Sequence, residues 1–160
     1  MLTRTLTVAL LVAAPALAAA QAPRWEADPA HTHIGFTVRH LMLSNVKGEF
    51  TKYQVKVQGT PQEPTKAVID VAVDTGSVTT GMTKRDEHLR SSDFFDAAKY
   101  PVMSFKSKKI VKAGQHGPKV IGDLTIRGVT REIVLEAKDV VGPVKDPWGV
   151  MRVGLQATGK

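Results

Sequence analysis

Ile34-Gly35-Phe36-Thr37-Val38-Arg39 alternates an apolar residue with a small or polar one, and that period of two decides the fold class. Successive side chains of an extended chain point to opposite faces, so Ile34, Phe36 and Val38 share an apolar side against Gly35, Thr37 and Arg39. This predicts a half-buried strand. The pattern recurs from Phe50 to Gly59, where Tyr53, Val55 and Val57 alternate with Lys52, Gln54, Lys56 and Gln58. It recurs again in Ala67, Ile69, Val71 and Val73, in Met103 and Phe105, and in Val120, Gly122, Leu124 and Ile126. Ile133, Leu135 and Ala137, then Met151, Val153, Leu155 and Ala157, complete seven predicted strands. Asn45 to Gly48, Gly59 to Pro64 and Arg127-Gly128 carry the residues that favour turns, which suits antiparallel neighbours joined by short connections.

One stretch breaks the alternation. Between Thr79 and Tyr100, Met82, Leu89, Phe94 and Phe95 are embedded in a charged run, Lys84-Arg85-Asp86-Glu87-His88-Leu89-Arg90. The loss of strand period predicts one or two short helices, with Ser92 or Asp93 as N-cap of a turn holding Phe94 and Phe95. Pro101 marks the start of the next strand. Neither an internal repeat nor a linker is visible. Many antiparallel strands with one helical interruption suit a sandwich or an up-and-down barrel. A barrel of about eight strands has an interior just wide enough for side chains or one small ligand.

The 160 residues suit one domain, and 42% hydrophobic with 23% charged residues suits a folded one. The absence of cysteine excludes disulfides, a thiol nucleophile and thiolate-ligated metals. Met1-Leu2-Thr3-Arg4, the apolar Leu6 to Leu17 and the small Ala18-Ala19-Ala20 read as a secretory signal peptide over 1–20, leaving a domain over 21–160. Its apolar core is too short for a membrane span of about 20 residues. An exported, periplasmic domain seldom meets nucleic acid, so the net charge of +7 points instead to anionic lipid headgroups, a peripheral contact with an anionic membrane, or a phosphorylated ligand.

His31 and His33 fall on the same side of an extended segment, as two metal ligands would. A zinc site needs a third ligand, and the sequence offers Asp86, His88 or His40; the bland alternative is hydrogen bonding at a barrel mouth. Thr32, Ser77, Ser91 and Ser92 are free hydroxyls, but none occupies a Gly-x-Ser-x-Gly elbow. Lys84, Arg85 and Arg90 are candidate phosphate binders against the commoner role of a solvated face. Phe36, Phe94, Phe95, Met103 and Phe105 either line an apolar pocket or fill the core.

Trp25-Glu26-Ala27-Asp28-Pro29-Ala30-His31-Thr32-His33-Ile34-Gly35-Phe36-Thr37-Val38-Arg39-His40, followed by Gly48-Glu49-Phe50, resembles the opening of the YceI-like family of bacterial periplasmic polyisoprenoid-binding proteins. Arg85-Asp86-Glu87-His88-Leu89-Arg90-Ser91-Ser92-Asp93-Phe94-Phe95-Asp96, with Tyr100-Pro101 and Phe105, and the block Gly122 to Thr130 match in the same order. The resemblance implies an all-β, lipocalin-like antiparallel barrel with a short helical insert, taking a long isoprenoid or similar lipid into an apolar interior. It implies no catalysis, metal or other cofactor. On it, the ligand-binding candidates are Phe36, Val38, His40, Arg85, His88, Phe94, Phe95, Met103 and Phe105. The competing expectation is a metal-dependent enzyme or metal-binding protein built on His31, His33 and His88. One departure stands out. Family members run on past the position of Gly159-Lys160 with a further Asn-Arg-x-Asp-Phe-Gly-like segment and a strand, so either the chain is a truncated form or its barrel lacks the closing strand.

Overall fold

The structure, a computed structural model, describes residues 23–160 apart from 61, 115 and 116. The expected signal peptide lies outside the described residues. All strand pairs are antiparallel, as the short connections require. In chain order the strands are β1 (Arg24–Glu26), β2 (Ile34–His40), β3 (Ser44–Phe50), β4 (Tyr53–Gln58), β5 (Val68–Asp74) and β6 (Val78–Thr79). The helix α1 (Thr83–Arg90) precedes β7 (Val102–Lys112), β8 (Pro118–Ile126), β9 (Val129–Lys145) and β10 (Met151–Thr158). A curled seven-stranded sheet runs β1-β4-β5-β7-β8-β9-β10, and a three-stranded sheet β2-β3-β6 packs against one end of it.

The register confirms the alternation. Tyr53 lies opposite Val73, which lies opposite Met103; one step on, Val55, Val71, Phe105 and Leu124 form a second row. Ser107, Gly122 and Ile133 form a third, and Ile110, Val120 and Leu135 a fourth. These rows share the inner face, with Lys and Glu residues such as Lys119 and Glu136 outside.

Two expectations need correction. Asn45 to Gly48 is the interior of β3, a strand the alternation missed. The reversal falls earlier, at Leu41–Leu43, where Leu41 (φ 49°) and Met42 (φ 60°) take left-handed conformations that bulky residues seldom adopt. Gly48 serves packing instead: the Phe36 ring lies directly on it, with Cε1 only 2.8 Å from where a Cβ would stand. Second, Ser92 and Asp93 cap no helix. Phe94 and Phe95 sit in turns after α1, held by Phe94 N–H to Ser91 O and Phe95 N–H to Leu89 O.

β9 outruns its neighbour β8. The β8–β9 register ends at Lys119 opposite Glu136, whereas β10 pairs with β9 from Glu136 to Lys145, so the hairpin projects past the rest of the sheet. An irregularity in the β9–β10 ladder coincides with the left-handed Asp139 (φ 51°), consistent with a bulge that re-aims the arm. The outer edge of β10 has no strand partner among the described residues.

Candidate ligand-binding interior

Two apolar clusters occupy the inner face. Phe50, Val73 and Val78 are buried at the α1 end, with Ile34, Phe36, Tyr53, Leu89, Phe95 and Met103 against them. Phe105, Ile110 and Val120 form the second, flanked by Ile69, Leu124, Ile133 and Leu135, and Val71 touches both. Phe36, Phe50 and Phe95 make a three-ring contact with centroids 5.5 to 6.5 Å apart. Tilted and edge-on rings at such separations attract beyond their area burial. The flanking side chains of both clusters are only half-buried. Beyond them, Leu155 is 56% exposed and Met151 46%. The apolar face therefore continues past the core without being covered.

The helical insert is fixed by a charged network. Asp86, buried, accepts the Thr80 N–H at 2.8 Å, the Thr80 hydroxyl at 2.6 Å and the Thr79 hydroxyl at 3.1 Å. The Thr80 hydroxyl bond lowers its pKa most; burial opposes this, and the Thr80 N–H, Thr79 and the Arg90 charge reinforce it. Arg85 donates to the Thr80 hydroxyl and carbonyl at 2.7 and 2.9 Å, and Arg90 to the carbonyls of Gly76 and Val78 at 2.7 Å each. These guanidinium groups bind α1 to the β6 segment.

The candidate residues therefore divide. Phe36, Phe95 and Met103 meet in the first cluster and Phe105 lies in the second. Phe94 is half-exposed on the surface, edge-on to the His88 ring at 4.9 Å, and His88 Nε2 lies 3.0 Å from Asp93. Val38 and His40 lie on the exposed outer half of β2. The metal constellation does not assemble: His31 pairs with Asp28, His33 with Glu49 and His88 with Asp93. Among the described residues no group of three or more His, Asp or Glu is placed to hold a metal ion. A cleft of about 480 Å³ is lined by Ala113 and the charged residues Lys119, Glu136 and Lys138 and lies toward the outer face, where Lys119 and Glu136 pair at 3.3 Å.

Sequence reasoning missed a polar tie across the sheet. Arg152 near the start of β10 contacts Asp28, just after β1, at 2.5 Å, and Asp146 in its own hairpin at 2.7 Å. It thus joins the two edge regions of the seven-stranded sheet. The His31 hydrogen bond does most to lower the Asp28 pKa, with the Ala30 N–H and the Arg152 charge helping against desolvation. Desolvation pushes Asp146 up, but Arg152 and the N–H groups of Val150 and Trp148 outweigh it. No local motif signals a pair 124 positions apart.

Comparison with known proteins places this geometry. A UPF0312 protein of Vibrio cholerae serotype O1 is 40% identical over 129 residues, covering 81% of this chain and 68% of that one. Protein YceI of Escherichia coli O6:H1 is 37% identical over 155 residues, covering 97% of this chain and 80% of the relative. The crystal structure of a Campylobacter jejuni YCEI protein superposes with a TM-score of 0.64 at 40% identity, covering 81% of this chain and 75% of the other. Burkholderia cenocepacia BcnA gives 0.63 at 26% identity, over 72% and 73%. The YceI-like domain model matches residues 25–160, from within β1 through β10, and the chain belongs to the YceI-like family.

Proposed function

We propose that this chain is a non-catalytic periplasmic binding or carrier protein that takes the tail of a long isoprenoid, or a similar amphiphilic lipid, against the inner face of its curled sheet. The observation that supports it best is the half-burial of that face: Leu124, Ile133 and Leu135 are partly solvated, and Leu155 and Met151 more so. Covering apolar surface contributes about 25 cal/mol per Å², or roughly 0.8 kcal/mol per methylene, so a long chain is held with few polar contacts. Binding of this kind discriminates weakly between tails. Arg85 and Arg90 are committed to backbone carbonyls, which leaves the exposed Lys84 and His88 of α1 to meet a polar or phosphate head group. The periplasmic location rests on the signal-like residues 1–20.

The test is native mass spectrometry of protein purified from a bacterial periplasm, followed by titration with a polyprenyl phosphate. The expected result is a lipid adduct, weakened in Leu135→Asp, whose charge is set among the half-buried residues of the inner face. Recovery of empty protein that takes up no added polyprenyl compound overturns the proposal.

A further inference from the structure

We infer that the tip of the β2–β3 hairpin is a membrane-docking element that enters the interface of an anionic bilayer. Leu41, Met42 and Leu43 are consecutive, large and apolar, and they are 74%, 78% and 84% exposed. A strand laid beside this hairpin covers alternate residues on one face. Three neighbours projecting from a turn need an apolar medium that surrounds the tip, and the acyl boundary of a bilayer is one.

The tip is built to project them. Leu41 and Met42 hold left-handed backbone conformations, closed by the Leu43 N–H to the His40 carbonyl at 3.0 Å. Arg39 clamps the turn by donating from Nε and Nη2 to the Met42 carbonyl at 3.2 and 3.0 Å. That carbonyl is satisfied without water, which lowers the cost of carrying it beneath the hydrated headgroups to the acyl boundary.

Charge complementarity selects the partner. Arg39 lies opposite Asn45 and Lys47 opposite Thr37, so the two cations share one face of the hairpin a diagonal step apart. Residues 39–48 contain no Asp or Glu, and the next acid, Glu49, pairs with His33 at 2.9 Å. An apolar tip with flanking cations matches the layered chemistry of an anionic membrane surface. This surface is separate from the sheet interior, so docking and lipid uptake fail independently.

Cosedimentation with vesicles of phosphatidylglycerol and phosphatidylcholine, against phosphatidylcholine alone, is the test. The protein is expected to bind the anionic vesicles and to release with added salt. Leu41→Ser combined with Met42→Ser and Leu43→Ser should lower the partition constant more than tenfold, and Lys47→Gln alone about fivefold. Trp148→Ser, at the tip of the other long hairpin, should leave it unchanged, and circular dichroism confirms folding of each variant. Vesicle binding equal in the triple variant and the parent overturns the inference. So does concentration-dependent self-association that the triple variant abolishes, with no vesicle binding by the parent.

Discussion

The α1 end of the molecule and the β9–β10 arm use the same alternating sequence pattern to opposite ends. At the α1 end, Val78 has no exposed surface, three phenylalanine rings interlock, and Asp86 has several hydrogen-bond donors. Along the arm, Val140, Val141, Val144 and Leu155 remain exposed, and charge rather than packing ties the arm to the rest of the sheet. Alternation sorts side chains by face; it takes a second layer to bury them. The β2-β3-β6 sheet and α1 supply that layer at one end. The difference separates a rigid anchor from an apolar surface still available to a partner.

The largest effect that sharpens this contrast comes from truncating an equivalent apolar residue in each region. Phe50→Ala opens a cavity among Phe36, Phe95 and Val73 and should cost about 3–5 kcal/mol in urea unfolding. Leu155→Ala, in the arm, should stay within about 0.5 kcal/mol, as exposed substitutions do. Equal losses would show that the arm is packed in solution and would erase the distinction.

A paired glycine experiment probes the same division on a smaller scale. Gly48→Ala drives a methyl into the Phe36 ring and should destabilise by about 1–3 kcal/mol. Gly154→Ala in β10 meets no atom within 4 Å and should stabilise by roughly 0.5–1 kcal/mol through lost chain freedom. Thermal melts of the two proteins should move in opposite directions.

The strands that carry the inner face were legible because their burial follows a period of two, as in Tyr53-Val55-Val57 and Val120-Gly122-Leu124. β3 was hidden by its composition: Asn45 and Gly48 favour turns, whereas the turn itself falls on Leu41 and Met42, which ordinarily avoid it. β1 and β6 are too short to establish a period. At the candidate site, Phe36, Phe95, Met103 and Phe105 were legible as apolar members of alternating or aromatic runs. Whether Arg85 and Arg90 face a ligand or a backbone carbonyl depends on where α1 docks, which no spacing encodes. Pairs such as Asp28 with Arg152 arise only when the sheet curls.

The smallest effect on global stability, and the most local, concerns that ion pair. Asp28 and Asp146 both titrate below the ordinary carboxylate range in the folded chain, so they stabilise it above a pH of about 4. That contribution is lost as the pH falls through their depressed folded values, when Arg152 loses both charged partners. Arg152→Gln imitates the loss at neutral pH. Since exposed ion pairs contribute little to global stability, its melting midpoint should hardly move. Amide exchange along β10 should nevertheless quicken, because among the described residues its sole strand partner is β9 and it opens without disturbing the α1 end. Exchange mass spectrometry of the parent at a pH below both depressed carboxylate values, corrected for intrinsic rates, should reproduce the variant's pattern in β10 while β3 and β7 stay protected. Equal protection of β10 in parent and variant would mean that β9 pairing alone holds the arm and that the charges across the sheet contribute nothing to its closure.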